Sequence, residues 1–394
     1  MKEKLLLTFN AGSSTVKIGL FLREDGRARR IGKGMIDFRH KPLTFHLVEG
    51  PQVFDVALEA EGSDVLHEVL DETFGWLADH FDINAVTAVG HRVVHGGDDF
   101  AGPVLIDEAA LAGIAALTPL APLHQPQNLR LIEAIRHLKP HLPQTASFDT
   151  AFHRTQSPTV QRFAIPREYF DQGIKRYGFH GLSYKYIAGA LAENLPDRAK
   201  ARTIVAHLGS GASICAISDG ASRDSSMGFS TIDGIPMATR SGALDPGVIF
   251  HFMARLGLSR EEVEDIVYHK SGLIGLSGIS ADSRALLESS AAEAAEAIEV
   301  FTFRIAGEIA RLSATIGGLD TLVFTAGIGE NQPPVRRAVC ERLAFLGVEL
   351  DEIANAANAP TISTTASSVR VMVIQTDEEQ VIANEALSVL QQEQ

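Results

Sequence analysis

The sequence predicts an α/β protein made of two related halves. Apolar runs of the strand type alternate with helix-type segments along the chain, as they do in α/β folds. Two kinds of glycine-containing turn each occur once in either half, in the same order, and this repetition indicates an internal duplication. We expect a short hinge near residue 150, because no linker or low-complexity segment separates the halves.

The first repeated element is a hairpin. Apolar runs of β-type residues flank a small polar turn at Asn10–Thr15 and again at Leu208–Ser213. Gly12 and Gly209 hold matching places in the two turns. Two apolar runs joined by such a turn are typical of antiparallel hairpins.

The second repeated element is an apolar strand that runs into a glycine-rich loop. Ala85–Val89 leads into Gly90–Gly97, and Thr321–Thr325 leads into Ala326–Asn331. Small residues in such loops let backbone N–H groups approach phosphate oxygens. The chain has neither GxxxxGK[ST] nor a GxGxxG that opens a helix, which argues against P-loop and Rossmann nucleotide sites.

Helices are predicted between the strands. Apolar residues spaced three or four apart along Leu66–Leu77 predict an early helix. Ser259 and Glu262 have capping-box spacing before a second helix. The longest helix is predicted along Ile298–Ile316 and ends at Gly317, since glycine favours the residue after a helix.

The composition limits the classes of function. The chain has 394 residues, of which 45% are hydrophobic, so it can form large cores. Its formal charge of −14 argues against a general affinity for nucleic acid or anionic membranes. Cys215 and Cys340 form no CxxC pair, which fits a reducing compartment. With neither a signal-type start nor an apolar stretch near the ~20 residues of a membrane span, we expect a soluble cytoplasmic protein.

Polar residues follow several of the predicted strands. Arg92 lies near the end of one strand, Asp149 lies just past another, and Glu378 follows the last. His180 stands in a tight aromatic loop and Arg240 in a long one. Carboxylates after a strand suit Mg²⁺, which proteins often hold with one or two ligands. Any one of these residues, considered alone, could equally be an ordinary solvent-exposed residue without a function.

Two pairs of residues have the i,i+4 spacing of some metal ligands. They are His91 with His95, and Asp149 with His153. Both pairs fall on strand-to-loop segments, where this spacing does not place side chains on one face. We therefore predict no zinc site at either pair.

Five motifs, in order, resemble those of the acetokinase family of acetate kinases, in the superfamily of acetate and sugar kinases, Hsp70 and actin. They are Asn10–Ser14, Gly90–Gly97, Ser147–His153, Tyr177–Gly181 and Gly327–Asn331. The resemblance implies a duplicated actin-like (ribonuclease H-like) α/β fold with an active-site cleft between two domains. It implies an N-terminal domain at 1–150, on which the C-terminal helix 381–394 packs, and a nucleotide-binding domain at 151–380.

The resemblance implies transfer of the γ-phosphoryl group of ATP to acetate, which gives acetyl phosphate and ADP. It also implies Mg²⁺, or Mn²⁺, as the metal and a homodimer as the assembly. A propionate (short-chain carboxylate) kinase of the same family is the nearest alternative, and a catalytically inactive nucleotide-binding regulatory protein is another. The presence of Asn10, Arg92, His180, Arg240 and Glu378 argues against the inactive alternative. A chaperone-like ATPase would need a peptide-binding region for which the chain has no spare segment.

The resemblance also implies roles for individual residues. Arg92 and Arg240 match the arginines that hold the carboxylate and the moving phosphoryl group, and His180 matches the histidine that stabilises the transition state. Asp149 matches a proton acceptor or an arginine-positioning residue. The other matched positions are Mg²⁺-associated Asn10 and Glu378, ATP-associated Lys17, phosphate-contacting His124, the apolar pocket residues Val94, Leu123 and Phe179, and the nucleotide-binding positions His207, Leu208, Gly209, Ser210, Gly211, Asp282, Ser283, Arg284, Gly327, Ile328, Gly329, Glu330 and Asn331.

Residue chemistry favours the positioning role for Asp149. A carboxylate substrate, with a pKa of ~4, is already ionised near pH 7 and needs little help from a base. The difficulty is to bring two anions together, so the catalyst must mainly position groups and neutralise charge. Arginine suits this task because its planar fork binds two oxygens at once.

Eight positions depart from the family pattern. Ser210 and Gln125 replace asparagines, Leu182 and Tyr184 replace the threonine and the histidine usual after His180, Thr231 replaces a pocket proline, Ala281 and Ser283 are unusual in their loop, and Ala326 replaces a glycine. These changes touch the nucleotide loops and the acyl pocket. We therefore expect them to affect base and acyl preference more than the class of reaction.

Overall fold

A computed structural model of the protein describes residues 4–12, 15–24, 26–38, 41–60, 66–81, 85–196 and 200–392. Ser13 and Ser14 of the first predicted turn lie outside the described residues, as do positions 393–394 of the predicted C-terminal helix. The chain divides into two units. The first contains Met1–Phe152 and Asp377–Gln394, and the second contains His153–Thr376.

Eight strands form one sheet in the described part of the first unit. They are β1 (Leu5–Ala11), β2 (Thr15–Glu24), β3 (Arg27–Asp37), β4 (Thr44–Glu49), β5 (Gln52–Ala57), β6 (Val86–Val93), β7 (Val104–Leu105) and β8 (Gln144–Phe148). Their order across the sheet is β5-β4-β3-β2-β1-β6-β8-β7. β1 pairs antiparallel with β2 and parallel with β6, and β6 pairs parallel with β8.

Five strands form the sheet of the second unit, counted over its described residues. They are β9 (Thr203–Leu208), β10 (Ala212–Ser218), β11 (Ala221–Ser225), β12 (Thr321–Thr325) and β13 (Arg370–Val373). Their order is β11-β10-β9-β12-β13. β9 pairs antiparallel with β10 and parallel with β12, and β12 pairs parallel with β13.

The two sheets share one five-strand arrangement. β3-β2-β1-β6-β8 and β11-β10-β9-β12-β13 have the same order, with antiparallel pairs in the first three strands and parallel pairs in the last three. The predicted hairpins are β1–β2 and β9–β10. The α/β fold class and the duplication are therefore confirmed.

Helices connect and flank these strands. They are α1 (Leu66–His80), α2 (Glu108–Ala116), α3 (Gln125–Leu138), α4 (Pro158–Gln161), α5 (Arg167–Asp171), α6 (Gly181–Asn194), α7 (Pro246–Arg255), α8 (Arg260–His269), α9 (Gly272–Ser277), α10 (Ser283–Glu288), α11 (Ala292–Thr315), α12 (Ala326–Asn331), α13 (Pro333–Arg342), α14 (Glu352–Ala356) and α15 (Glu378–Gln392), with 3₁₀ turns at Thr118–Leu120, Ala151–Thr155 and Ala344–Leu346. Among the described residues, no helix is long and apolar enough to cross a membrane.

The predicted helices are present. α1 covers the early apolar face, and both hydrogen bonds of the Ser259–Glu262 capping box are formed before α8. α11 ends at Thr315, and Gly317 follows with a left-handed φ of 73°. That conformation carries no steric cost for glycine, which explains why the helix stops there.

Three sequence-based boundaries were wrong. The strand predicted to end at Val89 continues to Val93, because β6 lies between two parallel partners that satisfy its backbone. Ala326–Asn331 forms the short helix α12 rather than a loop. α15 begins at Glu378 and not at position 381, where the C-terminal helix was predicted to start.

The core of the first unit occupies both faces of its sheet. β1 is buried along its whole length, so its alternate residues face two different helical layers. Leu7 packs in a cluster that includes Leu70 of α1 and Leu131 of α3, whereas Leu6 packs with Leu387 of α15. This explains why the run is continuously apolar instead of alternating.

Candidate active site

The carboxyl-terminal edge of the first sheet brings Arg92 and Asp149 together. Arg92 is the last residue but one of β6, and Asp149 directly follows β8, its parallel neighbour. Arg92 Nε donates to Asp149 Oδ1 at 3.0 Å, and Nη2 donates to Oδ2 at 2.6 Å. Because the Asp149 side chain is only 1% exposed, the two form a buried bidentate ion pair.

Asn10 joins this ion pair to two glutamates. Arg92 Nη1 donates to Asn10 Oδ1 at 3.1 Å. Asn10 Nδ2 donates to a carboxylate oxygen of Glu378 and to one of Glu379, both at 2.7 Å. Asn10 lies near the end of β1, and the glutamates are the first two residues of α15. We call Asn10, Arg92, Asp149, Glu378 and Glu379 the Arg92 cluster.

Glu379 is a member of this cluster that sequence reasoning missed. Its place beside Glu378 after the last strand was the available signal, but the resemblance assigned a role to Glu378 alone. Glu379 is as buried as its neighbour, with 4% exposure against 7%. Lys17, the predicted ATP-associated residue, lies on β2 directly opposite Asn10 in the strand pairing.

The charges of the cluster act on Arg92. Burial by itself lowers the pKa of the guanidinium, but the carboxylates of Asp149, Glu378 and Glu379 outweigh it and raise the pKa above its ordinary value. Arg92 is therefore a fixed cation at neutral pH. Three acidic side chains surround this one guanidinium, so the cluster has excess acidic charge and oxygen donors of the kind that divalent cations bind.

The loop after β6 is held by the first turns of α3. Asn128 Oδ1 accepts from the backbone N–H of Val94 at 3.1 Å, and Gln125 Oε1 accepts from that of His95 at 3.2 Å. Gln125 Nε2 also donates to the carbonyl of His95 at 3.0 Å. Gln125, a departure from the family pattern, is thus a buried loop-holding residue.

The other predicted substrate residues of the first unit lie just before α3. His124 is half-buried at the amino end of that helix, and Leu123 is 41% exposed, unlike the buried Val94. Phe179, the third predicted pocket residue, lies in the second unit and is buried.

In the second unit, His153 fixes the loop that carries His180. His153 Nε2 donates to the carbonyl of Phe179 at 2.9 Å, and its Nδ1 lies 2.8 Å from Ser222 Oγ. Burial lowers the pKa of His153 to about 4, so the ring is neutral at pH 7. A Cβ at Gly178, where φ is 81°, would lie 2.6 Å from this ring, so only glycine fits.

His180 itself has a left-handed φ of 55° and directly precedes α6. Its Nδ1 lies 2.8 Å from Ser213 Oγ, and Ser213 Oγ lies 2.5 Å from the hydroxyl of Tyr184. The ring stacks on His207 with centroids 4.4 Å apart, and His207 Nδ1 lies 2.8 Å from Ser183 Oγ. These contacts with residues of β9, β10 and α6 hold both rings in place.

Gly211 leaves space beside His180 and Arg240. A Cβ at Gly211 would lie 3.5 Å from His180 Nε2 and 3.7 Å from Arg240 Nη1. Arg240 Nη1 also donates to the carbonyl of Thr231 at 3.1 Å, which aims the guanidinium. Two nitrogen groups thus converge beside the half-buried Gly211. We call His180, Tyr184, His207, Ser213 and Arg240 the His180 cluster.

Of the predicted nucleotide-binding positions His207 to Gly211, the first two end β9 and the last three form the turn between β9 and β10. The Gly209 N–H donates to the Gly211 carbonyl at 3.2 Å. The Ser210 carbonyl accepts from the Ala238 N–H at 3.2 Å, so this turn is tied to the loop that carries Arg240.

The predicted nucleotide residues Asp282–Arg284 lie at the start of α10. The Asp282 carboxylate accepts from the Arg284 N–H at 2.9 Å and pairs with its guanidinium. Ser283 is buried and accepts from Gln332 Nε2 at 2.7 Å. Ser283 therefore ties α10 to the end of α12.

The predicted positions Gly327–Asn331 all lie in α12. Glu330 Oε1 accepts from the backbone N–H groups of Ala326 at 2.7 Å and Thr376 at 3.1 Å. Glu330 thus joins the start of α12 to the chain after β13. Ala326 has a left-handed φ of 64°, which suits the glycine usual in the family better than alanine.

The structure assembles the predicted residues into one group in each unit. Asn10, Arg92, Asp149 and Glu378 form one, whereas His180 and Arg240 form the other beside the turn at Gly211. Within the described ranges, no three His, Cys, Asp or Glu side chains are placed to hold a metal ion together.

The chain is similar to known proteins along nearly its whole length. The sequence profile of the Acetokinase family matches residues 5–384. An acetate kinase of Methylocella silvestris is 45% identical over 99% of this chain and 99% of its own. Two solved structures are similar: a propionate kinase from Francisella tularensis (TM-score 0.90, 36% identity, 97% of this chain and 98% of that one) and an acetate kinase from Porphyromonas gingivalis (TM-score 0.86, 34% identity, 98% and 100%).

Proposed function

The chain belongs to the acetokinase family, and we propose that it transfers the γ-phosphoryl group of ATP to acetate, reversibly, giving acetyl phosphate and ADP. The observation that carries this proposal is the buried Arg92–Asp149 pair beside the carboxylates of Glu378 and Glu379. It offers a fixed cation for an anionic substrate next to oxygen ligands for a divalent cation.

Arg92 binds the substrate carboxylate. A guanidinium carries five N–H donors. Among the described residues, three of them donate to Asp149 and Asn10. The remaining N–H groups on Nη1 and Nη2 are available for a carboxylate or phosphoryl oxygen. Asp149 and Asn10 set the plane of the fork, so little side-chain entropy is lost when the substrate binds.

Asp149 acts as a positioning residue and not as a base. Both of its carboxylate oxygens accept hydrogen bonds from Arg92, and its side chain is almost fully buried. The substrate carboxylate needs no deprotonation near pH 7, where a group with a pKa of ~4 is ionised. The proton-acceptor role therefore has neither a free oxygen nor a chemical need to support it.

Asn10, Glu378 and Glu379 fit a Mg²⁺ site. Mg²⁺ is a hard cation that takes oxygen ligands and usually keeps several waters while it binds one or two carboxylates and the substrate phosphates. The two buried carboxylates 2.7 Å from one amide nitrogen are donors of this kind. Mg²⁺, or Mn²⁺ in its place, supplies neutralisation of the phosphate charge when it is bound. Asn10 holds the two carboxylates side by side.

The second unit binds the nucleotide and the moving phosphoryl group. The glycine turn at Gly209 and Gly211 offers a backbone that phosphate oxygens can approach. His180 Nε2 and Arg240 Nη1 converge beside Gly211, where they stabilise the charge on the phosphoryl oxygens. Arginine at such a place contributes ~10³–10⁵ in rate in related phosphoryl transfers. Asp282 and Glu330 hold the backbone of the loops that bind the nucleotide.

Propionate is the alternative acyl acceptor. The similar propionate kinase from Francisella tularensis favours this second candidate, and the exchange of a pocket proline for Thr231 touches the acyl site. An extra methylene in an apolar pocket changes discrimination by ~1–3 kcal/mol. We therefore expect a preference for acetate over propionate and not an exclusion.

The functional unit is a homodimer that pairs through α7. None of the α7 residues is buried within the chain. Phe250 is 67% exposed, and Met253 and Leu256 are exposed as well. An apolar helix face of this kind is typical of subunit interfaces. Light scattering on the purified chain tests this: Phe250→Glu should yield monomers, and an unchanged dimer would exclude α7 as the interface.

The compartment of the reaction is the cytoplasm. Cys215 and Cys340 are both buried free thiols, which fits a reducing compartment. Cell fractionation with activity measured in each fraction tests this placement.

One assay tests the reaction and its acceptor together. The enzyme is incubated with ATP, Mg²⁺ and acetate, propionate or butyrate, and hydroxylamine traps the acyl phosphate as a coloured hydroxamate. Hydroxamate should form fastest with acetate. Faster formation with propionate would reassign the acceptor, and no hydroxamate from any acid would refute the kinase function.

A further inference from the structure

Tyr184 is a buried residue close to His180 whose hydroxyl has no role in the reaction described above. It lies in the first turn of α6, and its N–H donates to the His180 carbonyl at 3.1 Å. Its side chain is fully buried, and its ring meets those of His153 and His207 edge-on. The hydroxyl is therefore held in one place, 2.5 Å from Ser213 Oγ.

The acidity of the hydroxyls decides which group donates in the hydrogen bonds that link Tyr184, Ser213 and His180. A phenol with a pKa of ~10 is more acidic than an aliphatic hydroxyl, so between Tyr184 and Ser213 the tyrosine donates. Ser213 is then left with its own O–H, and His180 Nδ1 lies 2.8 Å from its oxygen. When Ser213 donates this O–H to Nδ1, a neutral His180 carries its proton on Nε2.

The position of that proton matters because of where Nε2 points. Nε2 lies beside Gly211 together with Arg240 Nη1. With the proton on Nε2, His180 donates to a phosphoryl oxygen in this space. With the proton on Nδ1, Nε2 would present a lone pair to the same oxygen and repel it.

We propose that Tyr184 is a positioning residue that acts through Ser213 to keep the proton of neutral His180 on Nε2. The inference rests on the proposed function, since it gives the Nε2 proton its use. The family usually has histidine at this position, and the proposal explains what the tyrosine contributes here. The phenol hydroxyl supplies the donor that orders the serine.

Kinetics of Tyr184→Phe give the first test. The change removes one hydroxyl and keeps the ring, so kcat should fall by about 3- to 10-fold, as expected for a net hydrogen bond of ~1 kcal/mol. KM for acetate and ATP should change by less than about twofold, because neither is bound by Tyr184. Tyr186→Phe, on the same helix but about 200° around it, is the matched control and should keep wild-type kcat.

Coupling to Ser213 gives the second test. Ser213→Ala should lower kcat at least as much as Tyr184→Phe, and the double variant should be no slower than Ser213→Ala alone, because residues in one network are not additive. Fully additive losses would mean that Tyr184 does not act through Ser213, and would overturn the proposal. A wild-type kcat in Tyr184→Phe would overturn it equally.

The tautomer itself can be observed without activity. Long-range ¹H–¹⁵N NMR spectra of ¹⁵N-histidine-labelled enzyme, assigned with His180→Gln, should show a protonated Nε2 and a bare Nδ1 for His180. Tyr184→Phe should add a population with the proton on Nδ1, and Ser213→Ala gives the same readout should the tyrosine variant fail to fold. A wild-type His180 protonated on Nδ1, or on both nitrogens, would overturn the proposal. Since the wild-type hydroxamate assay is separate, its failure would count against the proposed function and leave the tautomer result standing.

Discussion

Replacing Asp149 with asparagine tests the central contact of the Arg92 cluster. The substitution keeps the shape of the side chain but removes its charge. It also turns one acceptor into an NH₂ group that faces an N–H of Arg92, so one of the hydrogen bonds at 3.0 and 2.6 Å is lost. Arg92 is then free to rotate away from the plane in which we propose that it binds the substrate.

The expected losses of stability and of activity follow from the burial of the Arg92–Asp149 pair. Removing one partner of a buried ion pair costs ~3–5 kcal/mol in stability. Here the amide keeps one hydrogen bond, and Glu378 and Glu379 still face Arg92. We therefore expect a loss of only ~1–3 kcal/mol in unfolding free energy. The transition state loses a charge-assisted contact worth ~2–4 kcal/mol, so kcat/KM for acetate should fall by about 30- to 1000-fold.

The assay is hydroxamate formation over a range of acetate and ATP concentrations. A positioning role predicts that KM for acetate rises at least about tenfold, because the clamp is disordered before the substrate binds. The matched control is Asp320→Asn, which breaks a second bidentate pair, with Arg202, outside both clusters. That variant should keep wild-type kinetics.

Two results would exclude the positioning role of Asp149. Wild-type turnover in Asp149→Asn would remove both the positioning and the base role. An unchanged KM for acetate, with a lower kcat and the loss of the acidic limb of the pH–rate profile, would instead assign Asp149 as a base.

Three further predictions concern the metal, the buried His153 and the turn at the start of α12. Glu379→Gln should raise the half-saturating Mg²⁺ concentration by about tenfold, as measured by activity over a Mg²⁺ titration, whereas Glu385→Gln on the same helix should not. The pKa of His153 is about 4 in the fold against an ordinary 6.5, so the unfolded chain binds more protons between these values. Stability is then full above pH 6.5 and is lost as the pH falls toward 4, at ~1.4 kcal/mol per pH unit, and urea unfolding at several pH values should show a shallower loss in His153→Gln. Ala326→Gly should keep or raise the melting temperature, since a Cβ at a φ of 64° costs ~1–2 kcal/mol, whereas Ala326→Val should lower it by adding a branched side chain there. A lower melting temperature in the glycine variant would show that the turn tolerates alanine without strain.

Local patterns in the sequence predicted the elements that depend on local chemistry. The β1–β2 hairpin, the Ser259–Glu262 capping box and the end of α11 before Gly317 each depend on a few neighbouring residues. The extension of β6 to Val93 could not be predicted in this way. It depends on backbone partners in β1 and β8, which are distant in the chain.

In the candidate site, too, local sequence predicted single residues but not the contacts between distant ones. Periodicity and spacing gave single polar residues at strand ends, and the family resemblance gave their roles. The contact of Asn10 with Glu379 joins residues 369 positions apart, and that of Tyr184 with Ser213 joins residues 29 apart. Such contacts are consequences of how sheets and helices pack, so a single sequence carries no direct signal for them.

The duplication places segments of the candidate site at corresponding strand ends in the two sheets. In each sheet the three parallel strands end at one edge, which is where α/β folds bind ligands. β1, β6 and β8 end in the side chains of Asn10, Arg92 and Asp149. β9 and β12, the counterparts of β1 and β6, end in the glycine turn at Gly211 and in α12. In the proposed reaction one topology serves two purposes: charged side chains of the first unit bind a carboxylate and a cation, and glycine backbone with one imidazole and one guanidinium of the second unit binds a phosphate chain. The two sheets therefore share one order of strands and differ in the side chains at the strand ends.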